Sequence, residues 1–228
     1  MAANPVVLYS GFEPSALRFG AVERNRKGGK QVNLYNGTPG AASQIMIQTP
    51  PCHLPFGISD YNNKDTGKVE SYQMSMSFRG ADTDARVATF QAKMAALDNL
   101  IMETAATNSE AWFGKKLSRD ALEMMYRPLI KPSNDDRYAS TLNTKIPVSG
   151  GEPQVVLFDV DNNPISVDAV PKGAVVRAIL KVGNLWFIAG GMFGVTLYVT
   201  QARVVSLPAG APVLQPAFLE DEADAMAA

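Results

Sequence analysis

The residues that could carry out catalysis are few and unfavourably spaced. The 228-residue chain has one cysteine, Cys52, and one histidine, His53, which stand side by side among prolines. A structural zinc ion needs four such ligands, so the chain by itself cannot supply a zinc site. A serine nucleophile would depend on His53, and no nucleophile-elbow motif is present to provide that serine.

Two further motifs resemble a phosphate-binding loop and a calcium-binding loop, but each lacks a residue that its loop requires. Gly114-Lys115 lacks the earlier glycine of a phosphate loop, because Ser109 stands at that position. The segment from Asp159 begins like a calcium loop, but Pro164 stands where that loop requires glycine, which favours a β-turn. We therefore expect no enzymatic activity, no cofactor and no bound metal.

A binding surface is predicted instead by the last β-rich stretch, residues 174–207. Its apolar runs are separated by Gly183-Asn184 and Gly190-Gly191. A two-residue Gly-Asn connection predicts a hairpin in which Val182 faces Leu185 and Lys181 faces Trp186. Side chains alternate across a strand. One predicted face is wholly apolar and can only be core: Ala178, Leu180, Val182, Leu185, Phe187 and Ala189. The opposite face carries Arg177, Ile179, Lys181, Trp186 and Ile188, followed by Thr196, Tyr198 and Thr200.

This opposite face combines cations with large aromatic side chains, and nucleic-acid bases stack on such surfaces. The candidate nucleic-acid contacts are Arg177, Lys181, Trp186, Ile188, Tyr198, Lys145, Arg203, Lys115 and Lys116. The alternative interpretation is an ordinary sheet whose tryptophan is covered by a loop or a partner. The basic cluster from Arg24 to Lys30 is more typical of a solvated loop than of a phosphate cradle.

The charge is unevenly distributed along the chain. The formal net charge is −1, which by itself argues against a strongly basic nucleic-acid binder. However, four acidic residues, Glu220, Asp221, Glu222 and Asp224, lie close to the carboxyl terminus, and every lysine and arginine precedes them. A neutral-to-basic body with an acidic tail is a layout found in interaction proteins.

The cellular setting is indicated by what the sequence lacks. A single cysteine cannot form an intramolecular disulfide, which favours a reducing compartment. The first residues lack the charged and apolar regions of a signal peptide. The longest uncharged run is shorter than the ~20 residues of a membrane helix. We expect an intracellular protein without a membrane span.

The elements that must position the face are mostly strands. Alternation predicts strands over residues 31–35, 44–48, 69–79, 141–148 and 154–160. From Asp82, apolar residues recur at spacings of three and four, which predicts a helix of about 24 residues with an aspartate N-cap. Ser118 is predicted to cap a short helix that runs through Tyr126. Trp112, in the connector between the two helices, is expected to anchor that connector to the core.

This order predicts a mainly β protein. We expect an irregular segment with short strands over residues 1–50. An oligonucleotide/oligosaccharide-binding (OB)-like β-barrel follows over 51–207, with a helical insert at about 82–127 after its third strand. A mobile acidic tail is expected over 208–228. A jelly roll is the alternative architecture.

Five segments together carry a resemblance to a known family. They are Phe56-Gly-Ile-Ser-Asp-Tyr-Asn62, Ala111-Trp-Phe-Gly-Lys-Lys116, Arg127-Pro-Leu-Ile-Lys131, Tyr138-Ala-Ser-Thr-Leu-Asn-Thr-Lys-Ile-Pro147 and Trp186-Phe-Ile-Ala-Gly-Gly-Met-Phe-Gly194. In this order and spacing, from about Phe56 to Val205, the chain resembles the single-stranded DNA-binding proteins of nucleocytoplasmic large DNA viruses. Those proteins are related to the OB-fold single-stranded DNA-binding protein of short-tailed phages.

The resemblance implies non-catalytic, sequence-independent binding of single-stranded DNA in viral DNA replication or recombination. It implies a protein of the host-cell cytoplasm, within a viral factory, or of the nucleus. In the phage relative an acidic tail ending in an aromatic residue contacts replication proteins and competes with DNA. Here Phe218 precedes the acids, so the tail departs from that pattern. A homo-oligomer is left open. The alternative function is that of a minor capsid or internal structural protein in the virion.

Overall fold

The computed structural model describes residues 6–25, 28–37, 45–63, 66–188 and 190–208. Within them are three α-helices: α1 (Ala85–Thr107), α2 (Ser109–Phe113) and α3 (Arg119–Met125). The strands are β1 (Val6–Leu8), β2 (Leu17–Arg24), β3 (Lys30–Asn36), β4 (Met46–Gln48), β5 (Cys52–His53), β6 (Ile58–Asn62), β7 (Val69–Ser77), β8 (Tyr126–Arg127), β9 (Ile130–Lys131), β10 (Thr141–Ser149), β11 (Glu152–Pro153), β12 (Val156–Phe158), β13 (Pro164–Ile165), β14 (Val175–Phe187) and β15 (Phe193–Ser206).

Five of these strands close into a ring in the order β14-β5-β7-β10-β15, and β15 pairs again with β14. The pairing of β10 with β15 is parallel, whereas the other four pairings of the ring are antiparallel. If the five strands are numbered by their order in the chain, the order around the ring is first (β5), second (β7), third (β10), fifth (β15) and fourth (β14). Such a five-stranded Greek-key ring is the OB-like arrangement that the sequence predicts, rather than a jelly roll of two sheets. The ring is uneven, because β5 is only two residues long.

The three helices lie between β7 and β10 in the chain, within the predicted insert. In the ring, that position follows the second strand rather than the third. The predicted stripe of α1 is confirmed, since Val87, Phe90, Met94, Leu97 and Ile101 are all buried. They are part of one hydrophobic core that the helix shares with the inner face of the ring.

Side-chain caps fix where the helices begin. The carboxylate of Asp84 accepts a hydrogen bond from the Arg86 amide at the start of α1, and the Ser118 hydroxyl accepts one from the Ala121 amide at the start of α3. Such caps satisfy amide donors that have no partner inside the helix. Trp112 lies in α2, which the sequence did not predict, and it is buried as expected.

The predicted hairpin at Gly183-Asn184 is wrong. These two residues lie inside β14, and the chain reverses between Phe187 and Phe193, where the Ile188 amide donates to the Met192 carbonyl at 2.9 Å. Val182 pairs with Leu197, and Leu185 pairs with Val195. Between these two pairs β14 advances by three residues and β15 by only two. The extra residue in β14 makes a β-bulge.

The face assignment in β14 survives this error. A two-residue turn and a one-residue bulge both leave Val182 and Leu185 on the same side of the sheet. The inward residues Ala178, Leu180, Val182 and Leu185 are accordingly buried, Phe187 is half-buried, and Ala189 lies outside the described residues. Gly183 is required at the bulge, because a Cβ atom there would lie 2.8 Å from the backbone carbonyl oxygen of Thr196 and 2.8 Å from Cε2 of Tyr198.

The amino-terminal residues add strands to the same sheet. The β2–β3 hairpin is joined to β14 through the pairing of Val32 with Leu185, and β1 pairs with β4. β2 is eight residues long and was not expected from the sequence.

The acidic tail from residue 209 and two members of the basic cluster, Arg26 and Lys27, lie outside the described residues. None of the described helices is both long and apolar enough to cross a membrane.

Candidate nucleic-acid interface

A row of four side chains crosses the sheet on the face that points away from the core. Gln73 of β7 pairs with Lys145 of β10, Lys145 pairs with Tyr198 of β15, and Tyr198 pairs with Lys181 of β14. Residues in register lie on one face of a sheet, at about 4.8 Å from strand to strand. We call this side of the ring the outer face. Two lysines therefore flank Tyr198 on it.

Trp186 lies further along the outer face, in a groove of about 520 Å³. Its indole N–H donates to the Thr196 hydroxyl at 3.1 Å, and the side chain is half-buried. Arg127 and Ile188 line the same groove, and Ile188 is 50% exposed. The predicted pairing of Trp186 with Lys181 is wrong, since Trp186 pairs with Gly194. Both side chains nevertheless belong to the outer face.

Arg127 reaches this groove because a partly buried carboxylate holds its segment. Asp98 of α1 accepts hydrogen bonds from the Tyr126 hydroxyl at 2.6 Å, the Leu129 amide at 3.0 Å and the Ile130 amide at 3.3 Å. Burial raises the pKa of Asp98, although these donors favour its charged form. Burial and the neighbouring carboxylate also raise the pKa of Tyr126. The helical insert thus positions one wall of the Trp186 groove.

A second depression, of about 550 Å³, adjoins the first at Lys145. Tyr61 and Tyr198 line it, and Tyr61 is 54% exposed. The Lys145 amine lies 5.8 Å from the centroid of the Tyr61 ring, a cation–π distance. Tyr61 and Arg127 were missed as site residues from the sequence. Their contribution depends on which strands meet in the ring, and neither lies in the alternating stretch that gave the other candidates.

The cations of the outer face have no carboxylate partners within the described ranges. The ion pairs there are Arg86–Asp84, Lys93–Glu13, Arg119–Glu123 and Arg137–Asp135, and none of them includes Lys145, Lys181 or Arg177. Cations that are not ion-paired create a positive potential along this surface, except where Glu70 lines the depression beside Lys145.

Arg177 and Arg203 are directly opposite each other on β14 and β15. Like charges opposite each other destabilise a sheet pair. One of the two is held by a neutral partner, because the Arg203 guanidinium donates to the Asn162 side-chain oxygen at 3.0 Å. A bound anion would relieve the repulsion between the two guanidinium groups.

The remaining predicted cations do not join this surface. Lys115 and Lys116 are exposed just after α2, and Phe113 of that helix packs on Phe187 and Phe193 on the core side of the hairpin. The Lys30 amine donates to the Trp112 carbonyl and lies over the Phe187 ring, also on the core side. The tail candidates, Phe218, Glu220, Asp221, Glu222 and Asp224, lie outside the described residues.

The single cysteine is poorly suited to nucleophilic chemistry. Cys52 is buried, and this burial raises the pKa of its thiol to about 12. The thiolate, which is the reactive form, is therefore scarce near neutral pH. The pKa of the adjacent His53 is lowered by burial and by Arg79.

The chain is related to one protein family and is similar to several solved structures. Residues 76–215 match the model of a family described as "Family of unknown function (DUF5871)". No curated protein sequence matches. A solved structure of gp2.5, a single-stranded DNA-binding protein encoded by bacteriophage T7, is similar with a TM-score of 0.48 and 12% identity, covering 78% of this chain and all of that one.

Structures of the single-stranded DNA-binding protein from bacteriophage Enc34 are also similar. One has a TM-score of 0.44 and 12% identity, covering 92% of this chain and 99% of that chain. Another, in complex with single-stranded DNA, has a TM-score of 0.44 and 11% identity, covering 83% and 98%.

Proposed function

The chain belongs to the DUF5871 family, whose function is unknown, and we propose that it binds single-stranded DNA without catalysis along its outer face. The observation that carries this proposal is the row in which Lys145 and Lys181 flank Tyr198, with Trp186 and Tyr61 in adjoining depressions. Aromatic side chains on which bases stack, beside a positively charged groove that follows the backbone, are the usual means of binding single strands.

The position of these residues in the ring supports the proposal. OB folds bind oligonucleotides on the face of their second and third strands and through the loops that join strands one to two and four to five. Here those strands are β7 and β10, which carry Gln73 and Lys145. Tyr61 lies between β5 and β7, and Ile188 lies between β14 and β15. This correspondence is an analogy between folds, so the function depends on the side chains themselves.

The aromatic side chains favour a single strand over a duplex. A base can stack on Trp186 or Tyr61 only when its own face is free, and in a duplex that face is covered by neighbouring bases. Every base has such a face, so binding of this kind depends little on sequence. The guanidinium and ammonium groups supply affinity through the phosphates, which are the same in every sequence.

We further propose that the protein acts in the replication or recombination of a large DNA virus, in a viral factory of the host cytoplasm or in the nucleus. The resemblance of the five sequence segments supports this assignment. The acidic tail would then be a contact for viral replication proteins. The competing function is that of a minor capsid or internal structural protein of the virion, and it makes no use of unpaired cations beside exposed aromatic side chains.

A titration of purified protein into a fluorescently labelled oligonucleotide, followed by anisotropy at two salt concentrations, tests the proposal. Single-stranded DNA should bind, and a duplex of the same sequence should bind more weakly. The affinity should fall as the salt concentration rises, because binding releases counterions from the phosphates. Absence of binding to single strands at low salt would overturn the proposal and favour the structural role.

A further inference from the structure

A third depression continues the outer face beyond the Trp186 groove. Its volume is about 200 Å³, and Phe56 and Lys131 lie at its edges. Gln73 and Asn143 line both this depression and the Trp186 groove, so the two are continuous. Phe56 is 62% exposed, although a phenylalanine has no polar atom to make exposure favourable.

Phe56 lies in a turn whose backbone is constrained at the following residue. The next residue, Gly57, has φ +67°, a conformation that favours glycine. A Cβ atom at position 57 would also lie 3.3 Å from the backbone nitrogen of Lys172. The glycine therefore allows a tight turn against the segment before β14. The exposed Phe56 ring therefore lies in a tight turn of the loop between β5 and β6, where the Gly57 amide donates to the Leu54 carbonyl.

We propose that Phe56, Gln73, Asn143 and Lys131 form a second base-binding subsite, separate from Trp186. A nucleobase stacks on the Phe56 ring, the two amides bind the edge of the base, and the Lys131 ammonium contacts a neighbouring phosphate. This inference rests on the proposed function, since it assigns a second position on the surface to the same class of ligand, a single-stranded nucleic acid.

The hydrogen bonds between the two amides leave suitable groups for a base edge. The side-chain oxygen of Asn143 accepts from the Ser75 hydroxyl at 3.2 Å and from the Gln73 amide nitrogen at 3.3 Å. This arrangement uses the Asn143 oxygen and leaves its NH₂ donors and the Gln73 oxygen without hydrogen-bond partners among the described residues. One donor and one acceptor side by side can satisfy the edges of different bases, so the subsite requires no particular sequence.

The separation of the two subsites sets the length of ligand that occupies both. β6, which follows Phe56, is at least four strands away from β14, because the order is β14-β15-β10-β7-β6 and at the level of Trp186 β15 pairs with β8 while β10 pairs with β9. Neighbouring strands are about 4.8 Å apart, so the two stacking positions are at least roughly 19 Å apart along the sheet. An oligonucleotide of about three nucleotides fills only one of them, whereas one of about twelve can reach both.

The test compares Phe56→Ala with the parent protein on labelled oligo-dT of these two lengths. Tyr138→Ala is the matched control, because Tyr138 is 66% exposed and lines none of the three depressions. Phe56→Ala should weaken binding of the longer oligonucleotide by about 5- to 100-fold, the effect of losing one base stack, and leave the shorter one unaffected. Tyr138→Ala should change neither. Phe56→Tyr should restore binding, and all variants should have the parent's melting temperature.

The contrary outcomes are distinct from one another. Equal affinity of Phe56→Ala and the parent for the longer oligonucleotide would overturn the second subsite while leaving the proposed function intact. An equal loss at both lengths would also overturn it, because Phe56 would then belong to the position that is filled first. If the parent protein binds neither oligonucleotide, the proposed function itself fails.

Discussion

The indole of Trp186 lies across Gly194, its neighbour in the opposite strand. A Cβ atom at position 194 would lie 2.9 Å from Cζ2 of Trp186 and 3.0 Å from the carbonyl oxygen of Arg127. Only glycine leaves room for both contacts, so the absence of a side chain at 194 allows the ring to occupy the outer face beside Arg127. The position of the Trp186 ring on the proposed interface therefore depends on a residue that offers no side chain to a ligand.

We expect Trp186→Ala to weaken oligonucleotide binding by about 1–3 kcal/mol, which is the usual contribution of one base stack. Trp186→Phe should retain most of the affinity, because a smaller ring still presents a face. Anisotropy titration measures both, and thermal melts should show that the alanine variant still folds. Binding equal to that of the parent would mean that no base stacks on Trp186.

Phe187, the next residue along β14, should behave in the opposite way. Its ring contacts Trp112, Phe113 and Phe193 on the core side, with centroids 5.5–6.2 Å apart. We expect Phe187→Ala to lower the free energy of unfolding by about 3 kcal/mol, the lower end for a buried aromatic, because Phe187 is only partly buried. Denaturant titration measures this loss. The folded variant should bind DNA as the parent does, and a marked loss of affinity would contradict the assigned faces.

Lys145 and Lys181 should set part of the salt dependence of binding. Each neutralised phosphate contributes about −0.7 to the slope of log affinity against log salt concentration for single strands. Replacing both lysines with alanine should therefore flatten the slope by about 1.4 units. Arg119→Ala is the control, because that arginine is paired with Glu123 on α3. An unchanged slope in the double variant would place the backbone path elsewhere, with Arg177 and Arg203 next to be tested.

Asp98 should make stability depend on pH. Burial raises its folded-state pKa, so the folded protein holds the proton of this carboxyl more tightly than the unfolded chain does. The stabilising contribution is fully present below the unfolded pKa of the carboxyl and is lost as the pH rises through its folded pKa. The stability advantage of the parent over Asp98→Asn should therefore shrink with rising pH, as measured by denaturant titration across acidic pH. An advantage that grows with pH would show that the hydrogen bonds to Asp98 lower its folded-state pKa by more than burial raises it.

The acidic tail should compete weakly with DNA. Four carboxylates on a Pro- and Ala-containing segment can reach a cationic groove at high effective concentration. Salt screens such contacts over about 10 Å at moderate concentration. Removing residues 218–228 should therefore tighten oligonucleotide binding at low salt, and the gain should fade at high salt. An unchanged affinity would leave the tail as a solubilising end or a contact for another protein, and weaker binding would contradict competition.

The sequence by itself determined the local patterns. The stripe of α1, its aspartate cap and the inward face of β14 were all predicted correctly, because each depends on residues a few positions apart in the chain. Helical and strand periods are properties of the backbone, so they are visible before any tertiary contact is known. The same alternation gave Lys181, Trp186 and Tyr198 as outward-pointing candidates.

Only the tertiary structure decided how these patterns meet. A bulge at Gly183 and a turn at Gly183 produce the same alternation, so hydrophobic spacing cannot distinguish them, and the pairing of β14 with residues 193–206 settles the matter. Tyr61 and Arg127 join the site because β6 and β8 are hydrogen-bonded to the ring at its edges. Contacts between residues far apart in sequence arise from the closure of the ring, and no local period in the chain encodes them.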